Sequence, residues 1–391
     1  MQYIIGVAGL ALVFGMAFIV SNDRKKIKYR PILTMLVLQF VLGFLLLNTS
    51  AGNVLISTIA NGFTALLNCA REGINFVFGR LANPDDPIFF MSVLMPITFI
   101  SALIGILQHW HILPFIIKYI GLALSKVNGM GKLESYNAVA SAILGQSEVF
   151  ISVKKLLGPL PPNRLYTLCA SAMSTVSMSI VGAYMVMIEP VVTALVLNLF
   201  GGFIIASIIN PYEVKPEDDI LVVAETKRQS FFEMLGEYIL DGFKVGVIVC
   251  AMLIGFVGII TLINNIFLGI IGISFQEILG YLFSPFAFFM GIPMAECVDA
   301  ASLMATKIVA NEFVAMMQLS SGTVILSAKS VAIVSIFLVS FANFSSIGII
   351  AGAVKALNEE KGNVVACFGL RLLYGATLVS ILNATIVGLI I

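Results

Sequence analysis

The chain has 391 residues, of which 59% are hydrophobic and only 11% are charged. A soluble domain carries roughly 25% charged residues, so a mean hydropathy of +1.04 excludes a soluble enzyme, a nucleic-acid-binding protein and a disordered protein. The net charge of +1 offers nothing to attract a polyanion. Because a membrane helix needs ~20 apolar residues, the sequence predicts an all-α polytopic membrane protein.

Apolar runs along the chain predict the membrane helices. The first run, 3–20, lacks a basic leader and a small-residue cleavage site, which indicates a retained helix. The basic stretch 21–30 predicts a cytoplasmic loop and an N-terminus outside. The stretch 52–78 carries Arg71 and Glu72 and is typical of an amphipathic helix at the interface. Further runs predict spans at 31–47, 88–107, 166–187, 191–209, 245–266, 331–354 and 364–391, and a polar acidic loop at 211–233.

Two further segments are apolar but carry polar groups at their centres. In 136–153 the single charge is Glu148, in a polar turn that begins at Gly145. The stretch between Lys132 and the Pro161-Pro162 turn is too short for two complete crossings with a turn. It therefore predicts a re-entrant hairpin, whose broken backbone must face protein or water. The segment 291–322, which contains Lys307 and Glu312, predicts a second hairpin.

The helices that follow the two hairpins also resemble one another. Runs of small and hydroxyl residues occur at 177–183 and at 344–353. Hairpin and helix in the same order predict the internal repeats of a secondary transporter. Small residues also allow close helix packing, which is the alternative explanation for any single serine.

Glu148 and Glu312 are the strongest functional candidates. A carboxylate at mid-membrane costs at least ~2.5 kcal/mol, and each has an amide nearby, Gln146 or Asn311. We predict a polar pocket for a neutral solute with hydroxyl and ring N–H groups, against which Phe341 stacks. The structural alternative is a protonated glutamate that bonds two helices. Lys307 is expected to be structural or to snorkel.

The remaining reactive residue types predict neither a metal site nor a cofactor. The five cysteines lack C-x-x-C spacing, and the two histidines flank Trp110 in a short break between apolar runs. An intramembrane enzyme would need a nucleophile with a base, or a zinc motif. A channel would need a continuous pore, which two interrupted hairpins do not favour.

Three stretches resemble the concentrative nucleoside transporter family. They are the turn 145–148, the stretch 307–315 with its Asn-Glu-Phe-Val-Ala block, and 341–348. The resemblance covers nearly the whole chain. In length and in the stretch 125–135, the chain is similar to the bacterial branch typified by proton-linked pyrimidine-nucleoside permeases.

This resemblance implies a fold and an assembly. Members have eight membrane helices, two re-entrant hairpins, an interfacial helix and inverted repeats, and they form homotrimers in which a scaffold holds an elevator-like transport domain. We accordingly divide this chain into 1–107 (N-terminal scaffold helices and interfacial helix), 108–210 (first hairpin and broken helix), 211–290 (polar loop and scaffold helix) and 291–391 (second hairpin, broken helix and C-terminal helix). The location implied is a bacterial cell membrane.

The resemblance also implies a substrate and a binding site. A nucleoside is neutral, and its vicinal hydroxyls donate to a carboxylate. We expect pyrimidine nucleosides such as uridine and cytidine, with adenosine as a further candidate; the choice between pyrimidine and purine stays open. The implied substrate contacts are Gln146, Ser147 and Glu148 to the base, Ile180 as an apolar contact, Glu312, Asn343 and Ser346 to the ribose, and Phe341 to the base.

For the coupling ion we expect a proton, with sodium as the alternative. In sodium-linked members an asparagine four residues before the hairpin glycine gives an oxygen to the ion, and Ser141 stands at that position here. A serine reaches less far and is a poorer ligand for a hard cation. Thr175 and Ser179 keep hydroxyls that would complete a sodium site. A proton needs only a carboxylate, Glu148 or Glu312.

Overall fold

The computed structural model describes residues 2–82, 88–215, 217, 219, 230–322 and 324–391, and none of these residues is in a β-strand. In chain order the helices are α1 (Gln2–Ile19), α2 (Tyr29–Asn48), α3 (Ser50–Phe78), α4 (Pro96–His109), α5 (Ile112–Asn128), α6 (Lys132–Leu144), α7 (Val149–Ser152), α8 (Lys154–Leu157), α9 (Pro162–Met173), α10 (Met178–Met187), α11 (Val191–Ile209), α12 (Phe231–Ile271), α13 (Phe275–Phe289), α14 (Cys297–Val309), α15 (Glu312–Ser320), α16 (Ala328–Leu338), α17 (Phe344–Leu357), α18 (Glu359–Cys367) and α19 (Gly369–Ile390). One π-helical turn, Phe90–Leu94, precedes α4.

Both segments with polar centres are helical hairpins. The first consists of α6, a turn at 145–148 and the short helices α7 and α8. The second consists of α14, an interruption at Ala310 and Asn311, and α15. The turn of the first hairpin requires a glycine, because the φ angle of Gly145 is +107°, a region that is rarely open to other residues.

The helix that follows each hairpin is interrupted. The predicted run 166–187 is broken at 174–177, between α9 and α10, and the run 331–354 is broken at 339–343, between α16 and α17. Each break exposes backbone groups that an unbroken helix would pair internally. Broken helices beside hairpins are the arrangement that the repeat pattern predicts.

Two predicted boundaries are corrected. Helix α12 has 41 residues and starts at Phe231, well before 245, because Ser230 caps it by accepting a hydrogen bond from the N–H of Glu233. The run 364–391 is divided after Cys367, and α18 packs back against α17. Helices α5 and α13 lie where we had predicted no element. The predicted acidic loop 211–233 lies mostly outside the described residues.

Seven helical stretches within the described part of the chain are long and apolar enough to cross a bilayer. Helix α1 and the half-helices α16 and α17 are apolar but shorter. With α16 and α17 taken as one broken crossing and α3 set apart as the predicted interfacial helix, the spans number eight, as expected. Residues in α9, α10, α11 and α19 are mostly buried, whereas α3 and α12 leave most of their surface uncovered.

Helix packing gathers the hairpins around the buried helices. Helices α1 and α2 pack against α11 and α19, and α19 also packs against α16. Helix α12 packs against α4, and α13 packs against α14 of the second hairpin. The broken helices pack against the hairpins, through contacts of α9 with α6, α10 with α15, and α16 with α14 and α15. Helices α9 and α16 are mostly buried, whereas most residues of α17 are not.

Candidate substrate-binding and coupling site

The two helix breaks meet at buried residues, Thr175 and Phe341. The N–H of Phe341, in the second break, donates a hydrogen bond to the carbonyl oxygen of Thr175, in the first, at 3.0 Å. The turn of the first hairpin reaches the same place, since a Cβ on Gly145 would lie 3.1 Å from the Cβ of Ser177. Main-chain atoms thus join segments from both predicted repeats.

Glu312 is a buried carboxylate at this crossing with a hydrogen-bond donor on each oxygen. It is the first residue of α15 and is only 6% exposed. Its Oε1 accepts a hydrogen bond from the hydroxyl of Tyr184 at 2.8 Å, and its Oε2 accepts one from the amide of Asn343 at 2.9 Å. Because a buried carboxylate is stable only with such partners, the two donors account for its position.

Asn343 is held in one orientation by its other contacts. Its Oδ1 accepts hydrogen bonds from the N–H of Ser346 at 2.9 Å and from the hydroxyl of Ser345 at 2.7 Å. This oxygen caps α17, so the amide nitrogen must point toward Glu312. The predicted pair Glu312 and Asn343 is therefore brought into direct contact.

Asn311, which we had grouped with the pocket, has a different place. Its Oδ1 accepts a hydrogen bond from the N–H of Val314 at 2.9 Å and caps α15. The cap orients the first turn of that helix, where Glu312 lies. Asn311 thus acts on the site through the helix that carries Glu312.

The first hairpin presents its polar residues differently. Glu148 is exposed and accepts a hydrogen bond from the hydroxyl of Ser147 at 3.1 Å. A Cβ on Gly145 would lie 2.8 Å from the Oε2 of Glu148, so the turn fits tightly around this carboxylate. No hydrogen bond joins Glu148 to Glu312 in the described part of the chain.

Four buried polar oxygens near the crossing have no hydrogen-bond partner among the described residues. They are Oε1 of Gln146, Oγ of Ser174, Oγ1 of Thr175 and Oγ of Ser346. Buried polar groups are normally paired, so unpaired oxygens on the hairpin turn and on both broken helices suit a site that a polar solute completes. Ile180 and Phe341 add apolar side chains that are 8% and 5% exposed.

Two of the three hydroxyls that were candidates for binding a coupling ion, those of Ser141 and Ser179, already have hydrogen-bond partners. The hydroxyl of Ser141 donates to the carbonyl of Asn137 at 2.7 Å, one turn back in α6. The hydroxyls of Ser177 and Ser179 lie 2.9 Å apart. In the described ranges no group of three or more His, Cys, Asp or Glu side chains is placed to hold a metal ion.

Lys307 is structural and does not snorkel. Its side chain is fully buried, and its ammonium donates to the carbonyl of Phe337 at 2.5 Å and to the hydroxyls of Ser340 and Ser380 at 2.7 and 2.9 Å. It also lies 4.4 Å from the centre of the Phe337 ring. The lysine therefore satisfies a carbonyl that the second break leaves unpaired.

A buried chain of amides supports the same break and was not predicted. Asn198 donates to the carbonyl of Val339 at 2.5 Å and accepts from the amide of Asn383 at 2.7 Å. Gln39 donates to Asn383 and to the carbonyl of Leu197, both at 2.8 Å. The sequence signal for this chain is a single amide residue in each of several apolar runs. Which amides pair cannot be deduced from the sequence, because the partners lie as many as 344 residues apart.

Three family models match the chain. "Na+ dependent nucleoside transporter N-terminus" matches residues 8–81, "Nucleoside recognition" matches 90–191, and "Na+ dependent nucleoside transporter C-terminus" matches 190–388. Together these matches include both hairpins and both broken helices.

Similar proteins cover the chain from end to end. The purine nucleoside transport protein NupG of Bacillus subtilis is 37% identical over 100% of both chains. The nucleoside permease NupC of Helicobacter pylori is 31% identical over 98% of this chain and 97% of its own. A structure of CNTnw in an inward-facing substrate-bound state is 28% identical, with a TM-score of 0.94 over 100% of this chain and 99% of that one. A variant of CNTnw in an outward-facing state also gives a TM-score of 0.94.

Proposed function

The chain belongs to the concentrative nucleoside transporter family, and we propose that it is a proton-coupled symporter that imports nucleosides across the bacterial cell membrane. Its relatives are transporters and not enzymes. The observation that carries the proposal is Glu312, a buried carboxylate with one donor on each oxygen, at the crossing of two broken helices. Such a group is suited to accept the hydroxyls of a neutral sugar.

We assign the substrate contacts as the family resemblance implies. Glu312, Asn343 and Ser346 would take the ribose, while Gln146, Ser147, Glu148, Ile180 and Phe341 would take the base. The unpaired oxygens of Gln146 and Ser346 support this assignment, because a solute with several donors would pair them. With this assignment, the substrate would contact both hairpins and both broken helices.

For the coupling ion we propose a proton, carried by Glu148 or Glu312. The side chain of Ser141 bonds its own helix and is shorter than the asparagine of sodium-linked members, which leaves a poor cation site. The alternative is sodium, for which the unpaired hydroxyl of Thr175 is the best remaining ligand.

For the substrate we propose pyrimidine nucleosides such as uridine. A second candidate, purine nucleosides, is favoured by the 37% identity to a protein named a purine nucleoside transport protein. Both kinds carry the same ribose, so Glu312 serves either one, and the choice lies with the contacts to the base.

The experiment is uptake of radiolabelled uridine into proteoliposomes under imposed gradients. One charge that falls through ~150 mV releases about 3.5 kcal/mol, which supports roughly 300-fold accumulation. An inward pH gradient in sodium-free buffer should drive accumulation above equilibrium. Accumulation driven by a sodium gradient alone would overturn proton coupling and restore Ser141 and Thr175 as cation ligands.

Competition by unlabelled nucleosides tests the substrate in the same vesicles. Uridine and cytidine should displace labelled uridine better than inosine or guanosine if pyrimidines are preferred, and the reverse order identifies the purine candidate. 2′,3′-Dideoxyuridine serves as the control for the sugar contacts, since a site built for hydroxyls rejects analogues that lack them. Vesicles that accumulate no nucleoside under any gradient contradict the proposed function.

A further inference from the structure

Tyr184 has a contact that the proposed function leaves without a role. Its hydroxyl donates to Oε1 of Glu312 at 2.8 Å, and its side chain is completely buried. The ring packs edge-on against Phe313 with centroids 5.1 Å apart. Tyr184 lies in α10, and Glu312 and Phe313 begin α15, so the phenol is held firmly on one oxygen of the carboxylate.

The oxygen that Tyr184 occupies is one that a sugar hydroxyl would need. Asn343 donates to Oε2, and among the described side chains Tyr184 is the donor to Oε1. A symporter that takes one solute inward must afterwards return empty. While the empty site is open, water can hydrogen-bond the carboxylate; while it is closed, only protein groups can do so.

We propose that the Tyr184 hydroxyl is a resident donor that takes the place of the sugar hydroxyl on Oε1 of Glu312 while the empty carrier returns. This inference rests on the proposed function, in which Glu312 accepts the sugar. During inward movement of the loaded carrier, the substrate supplies the donors and the phenol is dispensable. During the empty return, the phenol keeps the carboxylate paired in the closed site.

Tyr184→Phe separates these two steps, because it removes the hydroxyl and keeps the ring that packs on Phe313. Equilibrium exchange, with equal nucleoside on both sides, requires only movements of the loaded carrier. Net uptake into empty vesicles requires the return as well. We expect net uptake to fall about tenfold or more, since leaving a buried acceptor unpaired is costly, while the exchange rate and its half-saturation concentration stay within about twofold of wild type.

Tyr374→Phe is the matched control. The hydroxyl of Tyr374 donates to the carbonyl of Met16 at 3.1 Å. This variant therefore also loses one phenol hydrogen bond, but one that joins α19 to α1 and does not involve Glu312. Net uptake and exchange by this variant should keep the wild-type ratio.

Each other outcome contradicts the inference. Equal losses of exchange and net uptake in Tyr184→Phe would show that the tyrosine holds the fold or binds substrate directly. Wild-type values for both would show that the empty carrier returns without the phenol. A failure of the proposed function is distinct, because the wild-type protein itself would then exchange no nucleoside.

Discussion

The two carboxylate oxygens of Glu312 make the sharpest prediction at the scale of single residues. In Glu312→Gln one oxygen becomes an NH₂ group that faces a donor, either Tyr184 or Asn343. We expect uridine uptake to fall about 10- to 100-fold, because hydrogen bonds to a charged group contribute about 1.5–3 kcal/mol. The measurement is initial uptake into proteoliposomes with equal amounts of reconstituted protein.

The matched control for this substitution is Glu360→Gln. Glu360 is exposed in the first turn of α18, and its replacement should leave uptake unchanged. Wild-type uptake by correctly inserted Glu312→Gln protein would remove Glu312 from the binding site.

The sequence alone predicts the buried charge, Glu312, better than it predicts the neutral side chains that bond to it. Glu312 was predicted from the residues themselves, since a charge in an apolar run is conspicuous, whereas Asn343 was implied by the family resemblance. The two side chains are in direct contact. Tyr184 lies in an apolar run where an aromatic residue is unremarkable. Its hydrogen bond to Glu312 links residues 128 positions apart, and no local pattern indicates such a pairing.

At the scale of helices, the amide chain behind the second break predicts a loss of stability on substitution. Asn198→Leu leaves the carbonyl of Val339 and the amide of Asn383 without their partner, and each buried group left unpaired costs about 1–3 kcal/mol. We expect the melting temperature in detergent to fall for Asn198→Leu and also for Asn383→Leu.

The double variant tests whether the two asparagines act as one unit. Residues in one hydrogen-bond network do not contribute additively, so Asn198→Leu with Asn383→Leu should lower the melting temperature by less than the sum of the single effects. Strict additivity would mean that the two amides support the break independently.

Some helices and hairpins could be predicted from local sequence patterns, and others could not. Both hairpins were predicted from polar residues within apolar segments, because only a protein-facing break tolerates such groups in a membrane. Helix α13 was missed although Ser274 and Glu277 form a reciprocal cap at its start, a recognisable signal for a helix N-terminus. Pro285 lies inside this helix, and a prediction based on long apolar runs without proline therefore does not find it.

For the whole molecule, the uncovered surface of α3 and α12 makes the predicted assembly testable. Most of both helices faces away from the protein, and α3 has a polar as well as an apolar face. We expect a homotrimer, as the family resemblance implies, in which neighbouring subunits and lipid together cover these helices. Native mass spectrometry in a mild detergent should give three times the 42.0 kDa chain mass.

Dilution provides the control for this mass measurement. A stable trimer keeps its mass when the protein concentration is lowered, whereas association forced by concentration does not. A monomer at every concentration would contradict the trimer and leave the outer helices to lipid alone.

The hydrogen bond from the N–H of Phe341 to the carbonyl of Thr175 bears on how substitutions could change substrate selectivity. Because the crossing of the breaks is joined by main-chain atoms, it does not depend on which side chains those residues carry. A library that varies the side chains at Gln146, Ile180 and Phe341 would therefore test whether these positions set base specificity on an unchanged backbone, with proline at 341 as the one replacement that removes the donor.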